Sequence, residues 1–297
     1  MWALIALFVL LQVISAFPGL LPVGVVIVLY TVLLLSVFVL HGTLGYRLRD
    51  LAVMAAIALV VSNAFENLSI STGFPFGHYY YPPNLGPKVF NVPIVIGLLY
   101  CAPGYFAWTI ARQLVQAFSY RPRGSDLYVV PLIASFVMVS WDLTMDPVRS
   151  TIQHNWIWQD GGPYFGVPFT NFVPGWFMVV WVIFQLTALY LYVAYTSAAV
   201  PPAYRAIAPK AFWYQAASVY AALALGALIS PLTQPNMAEA DLRGTTWMTG
   251  DIYQSMALVT VFTMVFFAVL SVIRTARDAS IPRRCLSSSA QGAGDRL

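Results

Sequence analysis

From Val23 to Leu40 the chain runs without one charged side chain, and several apolar runs of comparable length follow it, separated by short stretches containing Pro, Gly and Arg. A helix needs about 20 such residues to cross the roughly 30 Å of bilayer hydrocarbon. The run from Val23 does not alternate apolar with polar residues, as a membrane β-barrel strand would. Over the 297 residues, 60% are hydrophobic and 9% charged, against about 25% charged in ordinary soluble domains. The fold class expected is therefore all-α: a polytopic integral membrane protein of about eight transmembrane helices, with outer loops rich in Gly, Pro and aromatic residues.

The runs place spans near Trp2 to Phe17, Val23 to Leu40, Leu51 to Ile70, Val92 to Gln116, Leu127 to Met145, Phe172 to Thr196, Phe212 to Ile229 and Ile252 to Ile273. With the N-terminus inside, Arg47, Arg49, Arg112, Arg121, Arg123, Arg205, Lys210, Arg274, Arg277, Arg283, Arg284 and Arg296 all fall on the cytoplasmic side. Only Lys88, Arg149 and Arg243 fall outside, which is the positive-inside bias expected of a multi-pass protein of the cell membrane with both termini cytoplasmic. The net charge of +4 is explained by that topology and forms no nucleic-acid-binding stripe. The first run starts at Met1 without a basic n-region, so a retained span is expected rather than a cleaved signal. Residues 1–284 read as a single transmembrane domain and 285–297 as a disordered polar tail. Cys101 and Cys285 make no disulfide or metal framework.

The acidic residues Glu66, Asp142, Asp146, Asp160, Glu239, Asp241 and Asp251 gather toward the outer face, so chemistry is expected there. Glu66, with Asn67, lies near the outer end of the third span, and an ionisable residue within a span usually faces the bundle interior. His78 and a Tyr run that includes Tyr79 and Tyr81 follow; Glu66 and His78 are candidates for handling protons at a cavity, or else Glu66 sits at the interface and the Tyr run joins an aromatic belt. Asp142 and Asp146, four residues apart, share one helix face. Two acids so placed do not readily both carry charge, which makes one a candidate general acid. The alternative is structural, with Asp146 capping the turn before Pro147 and Asp142 pairing with Arg149 or His154. Between Asn155 and Phe172, Trp156, Trp158 and Tyr164 alternate with Gly and Pro, and such rings can line an apolar cavity and stabilise a cation; Asn171 closes that segment.

No Walker loop, HExxH, paired CxxC, GxSxG or dinucleotide fingerprint is present, and neither a cofactor nor a metal site is expected. The pair Asp142 and Asp146 is similar to the DxxxD element of membrane prenyltransferases, but no second acidic cluster accompanies it.

Glu66-Asn67, the stretch from Thr72 to Tyr81, Leu85-Gly86-Pro87-Lys88 with Val92-Pro93, Trp141-Asp142 with Asp146-Pro147, and Gly162 to Asn171 together resemble a membrane carotenoid-biosynthesis family that includes carotenoid 1,2-hydratases and archaeal bisanhydrobacterioruberin hydratase. The resemblance covers roughly Leu51 to Trp181. It implies a cofactor-independent hydration of a terminal isoprenoid double bond, on a hydrophobic substrate drawn from the bilayer. Such a reaction needs an acid, for which Asp142 is the first choice and Glu66 the second. It also needs aromatic walls, which Tyr79, Tyr81, Trp156 and Trp158 could supply, and a group such as His78 or Asn171 to aim water. A terpene cyclase begins with the same protonation, and a lipid or solute transporter is a further alternative. The substrate and the oligomeric state are not legible in the sequence.

Overall fold

A computed structural model describes residues 1–195 and 209–277. Arg205, Arg283, Arg284, Arg296, Cys285 and the polar tail lie outside the described residues. Among the described residues eight main helices follow one another: α1 (Trp2–Ser15), α2 (Val23–Gly45), α3 (Leu48–Thr72), α4 (Ile94–Leu114), α5 (Asp126–Ile152), α6 (Asn171–Ala194), α7 (Pro209–Thr233) and α8 (Thr249–Arg277). Seven of them are long and apolar enough to cross a membrane. The chain is thus a polytopic, almost wholly α-helical membrane protein.

The eighth expected span is the exception. With 14 residues, α1 is only about 21 Å long, because the chain turns at Pro18 and Gly19. Its one buried polar side chain, Gln12, donates from Nε2 to the Ala222 carbonyl of α7 at 2.9 Å. In the other direction, α2 outruns its apolar stretch to Gly45. The buried His41 makes this possible, bonded through Nδ1 to the Tyr105 hydroxyl at 2.8 Å and through Nε2 to the Phe212 carbonyl at 2.9 Å.

The core is built around α4 and α5, the two most buried helices, which pack on each other, while α6 packs on α5 and α3. Apolar side chains on the outer flanks of α2, α3 and α8 remain exposed, as they must where lipid replaces water.

The two ends of the bundle differ. One end carries the connections that include Arg47, Arg121 and Arg123. There the buried Asp50 at the start of α3 accepts hydrogen bonds from the hydroxyls of Tyr120, Tyr190 and Tyr195 and an ion pair from Arg49 at 3.4 Å. The opposite end carries the long Gly-, Pro- and aromatic-rich connections, and short strands order them. β1 (Tyr79–Tyr80) pairs antiparallel with β4 (Ile157–Trp158), Tyr79 opposite Trp158 and Tyr80 opposite Ile157, which ties the α3–α4 connection to the α5–α6 connection. β2 (Lys88–Val89) pairs with β3 (Val92–Pro93), and β5 (Ala238–Ala240) with β6 (Thr246–Met248).

Candidate active site

Four helix ends meet beneath the β1–β4 pair. The first, α3, stops because Gly73 takes φ +78°, a left-handed conformation in which its N–H bonds the Ser69 carbonyl at 2.7 Å. That stop leaves Glu66 in the last two turns of α3, facing inward. From α4 comes Tyr100. The third end, α5, widens into a π-helical turn over Val148–Ile152, just past Asp146. The fourth, α6, opens with a π turn over Asn171–Trp176 that is broken at Val173, and this presents Asn171 and Trp176 to the same space.

A small cavity lies among them, lined by Glu66, Asp146, Asn171 and the rings of Phe76, Tyr79, Tyr81, Tyr100, Trp141, Trp156, Trp158 and Trp176, with Ile96, Leu99 and Met145 completing the wall. The rings brace one another. Tyr100 stacks on Trp176 at 4.5 Å and 7°, and Tyr79 lies 4.9 Å from Trp158 and meets Tyr81 edge-on at 5.4 Å.

The two carboxyls on the wall are held by chemically different partners. Glu66 is 4% exposed and receives three phenols: Tyr79 and Tyr81 on Oε2, the latter at 2.8 Å, and Tyr100 on Oε1 at 2.8 Å. A phenol can donate or accept, so this nest suits the acid form as well as the carboxylate. Burial, and after it Glu66, pushes the Tyr79 and Tyr81 phenols well above their ordinary range, so both keep their protons.

Asp146, 1% exposed, is faced only by groups that donate. Its Oδ1 accepts from the indoles of Trp156 at 3.0 Å and Trp158 at 3.3 Å, and its Oδ2 from Asn171 Nδ2 at 2.6 Å. An indole N–H can never accept, so this shell is complementary to a carboxylate.

Asp142, expected as the first choice of acid, is wholly buried but does not line the cavity. It stands behind Asp146, with Oδ2 3.2 Å from the same Asn171 Nδ2 and Oδ1 without a partner. One amide group thus bridges two carboxyls. Neither aspartate has an ion-pair partner among the described residues; Arg149 donates instead to Gln153 at 2.7 Å.

The other expected residues divide. Trp156, Trp158, Tyr79, Tyr81 and Asn171 all line the cavity. Tyr164 stands just outside it, where its hydroxyl donates to the Leu143 carbonyl at 3.0 Å; burial, then the nearby Asp142 and Asp146, push its phenol above the ordinary range. Asn67 takes a bracing position, accepting the Asn91 N–H at 2.9 Å and donating to the Asn63 carbonyl at 2.8 Å. His78 is a correction to the sequence expectation. It faces away from the cavity, half exposed, with Nδ1 3.0 Å from Asp160, because Tyr79 next to it points inward and neighbours in a strand alternate sides. Tyr100, Trp141 and Trp176 were not singled out as site residues. A hydroxyl at Tyr100 in the outer, apolar half of its span was the one available signal. Among the described residues no cluster of His, Cys, Asp and Glu could hold a metal ion.

A buried, ring-lined pocket with two carboxyls, under ordered loops at one end of a membrane bundle, suits an apolar molecule with a reactive end. No curated protein and no solved structure matches the chain. The family model for carotenoid biosynthesis proteins matches residues 23–234, wider than the segment between Leu51 and Trp181 whose motifs carry the resemblance. It covers α2 to α7 with every residue named on the cavity wall, and the chain therefore belongs to the carotenoid biosynthesis protein family.

Proposed function

We propose that the protein hydrates a terminal isoprenoid double bond of a carotenoid or related polyprenyl lipid, through a tertiary carbocation and without a cofactor. The observation that carries this reading is the unlike pair of carboxyls on one aromatic wall, Glu66 among phenols and Asp146 among donors. Hydration needs both an acid and a base, and environments that hold two carboxyls in different protonation states assign those roles.

In this mechanism Glu66, in its acid form, gives its proton to the less substituted carbon of the terminal C=C, whose π electrons form the new C–H bond. Positive charge develops on the dimethyl-substituted carbon, where the faces of Tyr79, Tyr81, Trp156 and Trp158 stabilise it by cation–π attraction. A water molecule adds its oxygen to that carbon and passes a proton to Asp146, giving a tertiary alcohol. The net change is addition of one water; the proton on Asp146 returns to Glu66 through water when the product leaves. Asn171 orients Asp146, and Asp142 acts behind it through the shared amide. Preorganised groups of this kind lower the barrier because they need not reorganise as charge develops.

A cyclase would start from the same protonation, and the same cavity favours it if water is excluded. The test separates the two: cells that accumulate lycopene express the chain or its Asp146→Asn variant, and extracted lipids are weighed by mass spectrometry. A product heavier by one water, absent with the variant, supports hydration. An isomer of unchanged mass supports cyclisation and overturns the hydratase reading.

A further inference from the structure

Two asparagines four residues apart, Asn63 and Asn67, stand on α3 beside its lipid-facing stripe of Val60, Ala64 and Leu68. Amides beside lipid need partners inside the protein, and part of theirs is the main chain of the β2–β3 hairpin. Asn67 donates from Nδ2 to the Asn63 carbonyl at 2.8 Å, and its Oδ1 accepts the Asn91 N–H at 2.9 Å; Asn63 Nδ2 reaches the Val89 carbonyl at 3.5 Å. The hairpin also packs on α3 and α4 through β3. Its level follows from the length of α3. Arg49, exposed at the start of that helix, marks the far edge of the hydrocarbon. Asn67 lies about 27 Å and Asn63 about 21 Å along the helix from it, short of the roughly 30 Å that the hydrocarbon spans. Any tilt of α3 brings both nearer the bilayer centre.

We infer that the β2–β3 hairpin is a re-entrant element, mounted on α3 by Asn63 and Asn67, with its tip, Val89 and Phe90, seated among the acyl chains of the leaflet at the cavity's end of the bundle. Main-chain N–H and C=O groups at that depth have no water to bond, and the two amides satisfy one of each. The tip is built for hydrocarbon. Phe90 is 85% exposed and Val89 45%, and Lys88, the one charge in the hairpin, lays its ammonium on the Tyr81 carbonyl at 2.6 Å. The two-residue turn holds Phe90 at φ +56°, a place that hairpins ordinarily give to Gly, Asn or Asp. Lipid is the occupant because these side chains continue the exposed apolar face of α3, and because water at the same place would satisfy the backbone without two asparagines in a span. The hairpin also adjoins the site, since Tyr81 before it and Ile96 after it line the cavity.

A spin label at a single cysteine reads this depth directly. Phe90→Cys is labelled in a Cys285→Ser background, where the remaining Cys101 is buried, and the full-length protein is placed in lipid nanodiscs. Val60→Cys, 69% exposed on α3, is the reference for lipid, and Asp160→Cys, 70% exposed in the α5–α6 connection, is the reference for water. Relaxation of the label by oxygen, which concentrates in hydrocarbon, is compared with relaxation by a neutral nickel chelate, which stays in water. The label at position 90 should match the oxygen-dominated response at position 60. A nickel-dominated response like that at position 160 would place the hairpin in water and overturn the inference. Shielding from both reagents would mean a protein contact, a second copy of this chain included, and would overturn it equally. Asn67→Ala, which removes the acceptor of the Asn91 N–H, should move the label at position 90 toward the water response; an unmoved label overturns the mounting role of Asn67.

Discussion

Asp146→Asn asks the most of the site, because the shell around Asp146 is built wholly of donors. An amide has one accepting oxygen where the carboxylate has two. If that oxygen stays with Trp156 and Trp158, the new NH₂ faces the Asn171 Nδ2, which now lies 2.6 Å from an acceptor. Asn171 can relieve the clash only by rotating its amide, and its oxygen then faces Asp142, which loses its only side-chain donor. Either way one buried polar group is orphaned, at about 1–3 kcal/mol of stability, and the proton acceptor is gone, a loss of about 10²–10⁴ in rate. Thermal unfolding of the detergent-solubilised protein reads the first effect and product formation from lycopene the second. The exchange Asp146→Asn with Asn171→Asp returns a carboxylate and an amide to that contact but sets a second carboxylate against Asp142, so it should recover neither stability nor activity. Unchanged stability in the single variant, with turnover within about twofold of wild type, would refute both the donor-shell argument and the assignment of the base.

Glu66→Gln removes the acid while leaving groups for the phenols of Tyr81 and Tyr100 to bond, so turnover should fall by at least about 10² with little change in the unfolding temperature. His78→Ala breaks only an exposed pair with Asp160, worth at most about 1 kcal/mol, and product formation should stay within about twofold. At the other end of the bundle, Asp50→Asn sets an amide against three tyrosine hydroxyls; it should cost about 1–3 kcal/mol in thermal unfolding without altering which product forms.

Much of this site could be read from the sequence, and the gaps have physical causes. The long charge-free runs and the lopsided arginines locate the helices and set apart the end of the bundle that carries Glu66, Asp142 and Asp146, because hydrocarbon imposes length and polarity so strictly. Glu66 and the Asp142–Asp146 pair stand out because acids in a span are costly. Their ranking does not follow, since residues four apart share a face yet differ by about 40° around the helix, and packing against α6 decides that Asp146 lines the cavity. The side that His78 takes has a related cause: it directly precedes β1, which β4 pins with Tyr79 facing inward. Tyr100 is hidden because a tyrosine in a mostly apolar run, with Tyr105 five residues on, reads equally as filler. The lengths of α1 and α2 depend on the turn at Pro18 and Gly19 and on the tertiary partners of His41, neither of which apolar run length encodes.

Alkene protonation followed by water capture fixes where the atoms of water end up. Purified protein given lycopene in deuterated water enriched in heavy oxygen should yield a tertiary alcohol carrying one deuterium on the adjacent carbon and one heavy oxygen on the alcohol, and Glu66→Gln should yield neither. Product that lacks carbon-bound deuterium, or takes its oxygen from a source other than water, would contradict alkene protonation followed by capture of the cation.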